Sequence, residues 1–126
     1  GVAELPEIWN QKYEEYLGIR PTNDVEGILQ DVHWSGASFG YFPSYALGYM
    51  YAAQLLHSLQ QEIDVENVLA SDDYSPIKNW MSEHIHQYGA SRKPNQLIMD
   101  ATHEPLNPQY LIDYMRELYF NVYQVK

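Results

Sequence analysis

Apolar residues recur at intervals of three and four positions along nearly the whole chain. Residues at these intervals share one face of an α-helix, whereas the alternation that marks a strand is hardly visible. A chain of 126 residues is long enough to bury roughly two-thirds of its unfolded surface around one core. The pattern therefore predicts an all-α fold, a compact multi-helix domain that residues 1–126 form as a single unit.

The predicted helices begin and end at capping residues, Gly or Pro. The first runs from Pro6 to Leu17 and ends at Gly18, and a central helix runs from Pro43 to Gln61. Two later helices start at Ser75-Pro76 and Asn107-Pro108, where a side-chain cap precedes a proline. Shorter helices are predicted at 23–30, 64–70 and 94–101, and an ordered loop at 34–43.

Three of these helices carry an apolar face that we expect to be buried. In the first helix that face consists of Leu5, Ile8, Trp9, Tyr13, Tyr16 and Leu17. After Ser75 it consists of Ile77, Trp80, Met81, Ile85 and Tyr88. In the last helix it consists of Leu111, Tyr114, Met115, Leu118 and Val122.

Composition excludes several classes of function. Seven basic and 17 acidic residues give a net charge of −10, which repels nucleic acid. The chain has no Cys, which excludes thiol catalysis and fits a cytoplasmic location. No apolar run approaches the roughly 20 residues that span a bilayer, and the start does not resemble a signal peptide, so we expect no membrane partner. Because Gly1 replaces the usual Met, we expect a fragment, a processed product or an expression product.

None of the five histidines has a spacing that favours a metal site. His84 and His86 are two positions apart on a predicted helix and point in different directions, and His57 is alone on its helix. The pair His103-Glu104 begins a His-Glu-x-x-His pattern, but Asn107 stands where the second His is required. The sequence predicts no metal ligands in this chain.

The segment Gly27-Ile-Leu-Gln-Asp-Val-His-Trp34 is the candidate functional site. Gln30, Asp31 and His33 place three polar side chains within four positions, which is costly in a core unless the groups satisfy one another. An Asp–His hydrogen bond can simply tie a helix end to the next loop, and spacing alone favours that interpretation. A catalytic arrangement is the alternative.

This segment resembles the Gly-x-x-Gln-Asp-x-His-Trp signature of the carboxypeptidase Taq family of metallopeptidases. The resemblance extends over almost the whole chain. It includes the stretches 5–18, 39–48, 74–77, 85–89 and 104–107. One departure is His103, which stands where the family pattern has Gly.

The resemblance implies the C-terminal region of a metal-dependent carboxypeptidase, which removes C-terminal residues from peptides. This region would contribute one wall of the cleft. The family binds one divalent metal, zinc or cobalt, through a His-Glu-x-x-His helix and a later Glu, and these residues and the family's Ile-Arg-x-x-Ala-Asp motif are absent here. We therefore expect the chain alone to be inactive. Family members often form homodimers.

The resemblance also implies roles for individual residues. Gln30, Asp31 and His33 are expected near the metal centre, where they would orient ligands or substrate. Tyr41, with Tyr45 as second choice, is expected to donate its O–H to the oxyanion that forms during hydrolysis. The catalytic candidates are therefore His33, Tyr41 and Tyr45. For either Tyr the alternative is a packed aromatic ring whose hydroxyl bonds to the backbone.

A different class of function also fits the sequence. Twelve Tyr residues are common material for a non-catalytic helical module that binds a protein partner through an aromatic groove. Such a module does not require Gln30, Asp31 and His33 to converge on an accessible cleft, whereas the wall of a peptidase does. The arrangement of these three residues separates the two hypotheses.

Overall fold

The computed structural model describes residues 1–124 and contains no strand within them, so the all-α prediction is confirmed. The α-helices of this part of the chain are α1 (Leu5–Leu17), α2 (Pro43–Glu62), α3 (Val65–Ala70), α4 (Ser75–His84), α5 (Pro94–Thr102) and α6 (Gln109–Tyr123). Short 3₁₀ helices are found at Val2–Glu4, Ile28–Gln30, Val32–Gly36 and His86–Tyr88. No helix between residues 1 and 124 has both the length and the apolar character needed to cross a bilayer.

Most predicted helix ends agree with the structure. Gly18 ends α1 with a φ of 69°, in the left-handed region that glycine adopts without steric cost. The predicted helix at 23–30 is instead a series of turns followed by the 3₁₀ helix Ile28–Gln30. The predicted loop at 34–43 begins inside the 3₁₀ helix Val32–Gly36. Local signals therefore located these segments but did not distinguish α-helices from tighter turns.

The caps of the two Pro-initiated helices differ from one another. Asn107 acts as predicted, since its Oδ1 accepts the backbone N–H of Gln109 at 3.0 Å. At α4 the prediction was wrong. Asp73 accepts the backbone N–H of Ser75 at 2.9 Å and also its hydroxyl, so Asp73 takes the role predicted for Ser75. A carboxylate is the stronger acceptor, and it lies two residues earlier.

The chain divides into two units, Gly1–Ser44 and Tyr45–Lys126. The single domain predicted for residues 1–126 stays a prediction. In the first unit, α1 contacts the 3₁₀ helix Ile28–Gln30. In the second, Leu59, Val65 and Trp80 form a buried core. Partly buried apolar residues pack against that core, namely Leu55, Leu56, Ile63, Ile77 and Met81.

Apolar faces differ in how far they are covered. The face predicted for α4 is confirmed at its centre, where Trp80 is 4% exposed. The burial prediction was wrong for four residues of α1, which are 37–71% exposed: Leu5, Ile8, Tyr16 and Leu17. It was also wrong for Tyr114, Met115, Leu118 and Val122 of α6. Periodicity identifies the apolar face of a helix, but it does not show whether another element covers that face.

Gln54 is the only fully buried large side chain among the described residues, and it joins α2 to the connection between α5 and α6. Its Nε2 donates to Thr102 Oγ1 at 2.8 Å and to the carbonyl of Pro105 at 3.2 Å. Its Oε1 accepts the backbone N–H of Asn107 at 2.8 Å. Because both ends of the amide are bonded, this polar group is tolerated inside the second unit.

Replacing Gln54 by Met should lower the free energy of unfolding by about 2–4 kcal/mol, since Met keeps the length of the side chain but leaves buried backbone groups without partners. Urea unfolding followed by circular dichroism measures the change. Gln60→Met, at an exposed position of the same helix, is the control and should shift stability by less than about 0.5 kcal/mol. Equal effects of the two variants would contradict this role for Gln54.

His103, the residue that departs from the family pattern, ends α5 with a φ of 63°. Residues other than glycine adopt this left-handed conformation at a cost of roughly 1–2 kcal/mol. His103→Gly should therefore raise the free energy of unfolding by about 0.5–1 kcal/mol, despite the greater entropy of the unfolded glycine chain. His57→Gly, within α2, should lower it by about 1 kcal/mol. Thermal unfolding of both variants tests the pair, and a loss of stability in both would exclude the backbone explanation.

Candidate functional site

The segment that carries Gln30, Asp31 and His33 consists of two short 3₁₀ helices joined at Asp31. Asp31 ends Ile28–Gln30 and precedes Val32–Gly36, with φ of −85° and ψ of 86°. From this position its Oδ1 accepts the backbone N–H of His33 at 3.1 Å. This is a side-chain cap, and the Asp side chain begins the second 3₁₀ helix as it would begin an α-helix.

The same carboxylate oxygen of Asp31 lies 2.8 Å from Nδ1 of His33. The Asp31 side chain is 6% exposed and that of His33 is 20% exposed. Because a carboxylate only accepts hydrogen bonds, Nδ1 must carry the proton in this contact. Nε2 is then the ring atom that can accept a proton or, once protonated, donate a hydrogen bond. The pair therefore fixes both the tautomer and the orientation of the imidazole.

Two aromatic residues from the turn before α2 border this imidazole. The ring centroid of Tyr41 lies 5.2 Å from that of His33, and the centroid of Phe42 lies 5.6 Å from it. The turn is closed by hydrogen bonds from Tyr41 N–H to Ser38 O at 3.3 Å and from Ser44 N–H to Tyr41 O at 2.9 Å. Tyr41 stays half-exposed. The structure thus brings Asp31, His33 and Tyr41 together within the first unit.

The other candidates are placed differently. Gln30 is exposed, and its Nε2 donates to the carbonyl of Val25 at 2.5 Å, so its amide closes the turn from which it comes. Tyr45 belongs to the second unit, in α2, and is also half-exposed. The functional roles of all five candidates stay predictions. Phe42 was missed, and its one signal in the sequence is its position directly after Tyr41.

Arg20, a residue suited to binding a peptide carboxylate, has its guanidinium bonded to acidic groups of α1. It donates to both carboxylate oxygens of Glu7, at 2.7 and 2.9 Å, and to Glu14 at 3.0 Å. Hydrogen bonds from Arg20 and then Gln11 lower the pKa of Glu7. Because two carboxylates already occupy its donors, Arg20 ties the end of α1 to the chain that follows.

Comparisons with known proteins identify the family. The model of the family described as carboxypeptidase Taq (M32) metallopeptidase matches residues 1–119. This chain belongs to that family. Carboxypeptidase 1 of Bacillus subtilis (strain 168) is 54% identical over 123 residues, which are 97% of this chain and 25% of that protein. The predicted resemblance is confirmed.

Further relatives agree in sequence and in fold. Thermostable carboxypeptidase 1 of Pyrococcus furiosus is 41% identical over 117 residues, 92% of this chain and 23% of that protein. The crystal structure of the M32 carboxypeptidase from Deinococcus radiodurans R1 superposes with a TM-score of 0.85 at 32% identity. The match covers 98% of this chain and 25% of that one. The chain therefore spans about a quarter of the length of the family members it matches.

Membership of a metallopeptidase family raises the question of whether this chain can hold the metal. Among residues 1–124, no three His, Asp or Glu side chains lie together in an arrangement suited to a metal ion. Asp31 and His33 provide at most two ligands, and they bond to one another. The described residues therefore do not fit the metal site of the family, and the chemistry assigned to this chain is that of its own side chains.

We expect the 126-residue chain neither to bind zinc tightly nor to hydrolyse peptides. A catalytic zinc site typically needs three protein ligands around an open position, and scattered histidines leave the ion better solvated by water. Isothermal titration with zinc and a chromogenic carboxypeptidase assay test this expectation. Sub-micromolar 1:1 binding, together with metal-dependent release of C-terminal residues, would reveal a complete site that the described geometry does not contain.

Proposed function

We propose that this chain forms one wall of the substrate cleft of a metal-dependent carboxypeptidase, which removes C-terminal residues from peptides. The observation that carries the proposal is the Asp31–His33 pair with Tyr41 beside it, located on the signature segment of the family. The family members matched above are named carboxypeptidases, and this supports peptides as the substrate class. The C-terminal location of this region within the enzyme is part of the proposal.

His33 is the residue that would contact the substrate in this cleft. Asp31 holds Nδ1–H, so Nε2 is the atom available to orient a peptide group or exchange a proton. Only 6% of the Asp31 side chain is exposed, which keeps water from competing for the bond. Asp31 therefore acts through His33, and His33 acts through one defined nitrogen.

Tyr41 would stabilise charge. When a peptide carbonyl is attacked, its oxygen gains negative charge, and a phenol O–H aimed at that oxygen stabilises the transition state more than the ground state. The Tyr41 ring lies in a closed turn against the His33 ring, so the hydroxyl is held on a fixed support. Tyr45 is the second choice for this role, and Gln30 is proposed as an additional substrate contact.

The metal and the wider setting belong to the same proposal. We propose zinc, with cobalt as the alternative, held by residues that the described part of this chain does not supply. A cytoplasmic location follows from the absence of Cys and stays a prediction, as does a homodimer.

An interaction module is the second candidate function, and one observation favours it. A groove of about 400 Å³ runs along α1. It is lined by Leu5, Ile8, Trp9, Lys12, Tyr13, Tyr16, Leu17 and Trp34. Large aromatic side chains around an open groove are typical of surfaces that bind protein partners. This function would not depend on His33 or Tyr41.

Substitutions in the full-length enzyme test the proposal. Tyr41→Phe removes one O–H from a half-exposed ring and should lower kcat roughly 10²–10³-fold, because an oxyanion donor is lost. Its free energy of unfolding should stay within about 0.5 kcal/mol of the unmodified enzyme. His33→Ala should also reduce turnover far more than stability.

The controls are Tyr49→Phe, another exposed tyrosine, and His86→Ala, an exposed histidine of the second unit. Both controls should retain kcat. Full turnover in Tyr41→Phe and His33→Ala would refute the peptidase role of the cluster and favour the interaction module.

A further inference from the structure

Gly27, the first residue of the signature segment, lies where three neighbours leave no room for a side chain. A Cβ on Gly27 would lie 2.9 Å from Asn10 Oδ1 and 3.3 Å from both the carbonyl of Asn23 and Cβ of Pro21. Real Cβ atoms essentially never approach another heavy atom closer than 3.0 Å. The φ of Gly27 is −104°, which any residue can adopt, so the constraint is space and not backbone conformation.

The chain around Gly27 is held on both sides by hydrogen bonds. Its N–H donates to the carbonyls of Asn23 at 3.1 Å and Asp24 at 3.2 Å. Its own carbonyl accepts the N–H of Gln30 at 3.0 Å. Asn10, on α1, presses against this turn, and its Oδ1 is buried with no hydrogen-bond partner. A buried amide oxygen left unpaired is costly, so the close approach of α1 is maintained by other packing.

Only one turn of 3₁₀ helix separates Gly27 from Asp31. Ile28, within that turn, is buried and contributes to the fixed position of the segment. A hydrogen bond tolerates a donor–acceptor range of only a few tenths of an ångström near its optimum. A shift of that size at Gly27 would therefore be carried through the turn into the 2.8 Å contact between Asp31 and His33.

We propose that Gly27 is a positioning residue, whose close contact with Asn10 places the signature segment so that the Asp31 carboxylate meets Nδ1 of His33. Any effect on turnover rests on the proposed carboxypeptidase function. The effect on the Asp31–His33 geometry does not, and it can be measured in the 126-residue chain itself.

Gly36 provides a matched control within the same segment. It ends the 3₁₀ helix Val32–Gly36, and no heavy atom lies within 4 Å of the position that a Cβ would take there. Gly36→Ala and Gly27→Ala add the same methyl group nine positions apart. Only the second adds it against α1.

The experiment records the Nδ1–H resonance of His33 by NMR in chain labelled with ¹⁵N-histidine. Gly27→Ala should shift this proton upfield or broaden it through faster exchange with water, because the bond to Asp31 is lengthened. Gly36→Ala should leave it unchanged. The double variant Asn10→Ala/Gly27→Ala, which removes Oδ1 from the crowded position, should restore most of the resonance. Circular dichroism checks that each variant is folded.

An unchanged Nδ1–H resonance in folded Gly27→Ala would overturn the proposal. If Gly27→Ala does not fold, the double variant decides: recovery of fold and resonance supports the role of the Asn10 contact, and failure to recover either overturns it. Turnover of the same variants in the full-length enzyme separates the two claims. A disturbed resonance with unchanged kcat would leave Gly27 as a positioning residue and refute the catalytic role of His33.

Discussion

A carboxylate removed from water needs hydrogen-bond donors, and Asp31 finds two of them on a single residue, His33. This requirement organises the first unit. It places Asp31 between two 3₁₀ helices, fixes the tautomer of the imidazole and brings His33 against the ring of Tyr41. The spacing of Asp31 and His33 fitted both a structural tie and a catalytic pair. In the structure the bond is a structural tie that leaves Nε2 with a defined orientation, so the two interpretations are compatible.

The second unit is organised by a different polar group. Gln54 is buried without charge, and it bonds through both ends of its amide to the connection between α5 and α6. That connection contains Glu104, whose carboxylate accepts the hydroxyl of Tyr110 and thereby raises the pKa of that phenol. Each unit thus has its own internal polar contacts. Polar groups in both interiors specify one arrangement of the chain more closely than apolar packing alone.

Features that depend on local chemistry were predictable from the sequence. Gly18 ends α1 and Asn107 caps the start of α6 because these effects involve residues only a few positions apart. Asp73 was missed because its carboxylate competes with Ser75 for the same N–H, and the sequence shows both candidates.

Contacts between distant residues were not predictable in this way. Nothing in the sequence shows that Asn10 meets Gly27, or that Leu5 and Ile8 stay exposed while Trp80 is buried. These outcomes depend on which elements become neighbours. Part of the candidate site could be predicted, because the signature itself names Asp31 and His33. The aromatic border could be predicted only from resemblance, since Tyr41 and Phe42 approach His33 through the tertiary fold.

The central claim is that a family member's substrate binds against the surface formed by His33 and Tyr41. A crystal structure of the full-length enzyme with a non-hydrolysable peptide analogue tests it most directly. We expect Nε2 of His33 or the hydroxyl of Tyr41 to lie within about 3.2 Å of a polar atom of the analogue. An analogue bound in the active site that hydrogen-bonds to neither residue would contradict the claim.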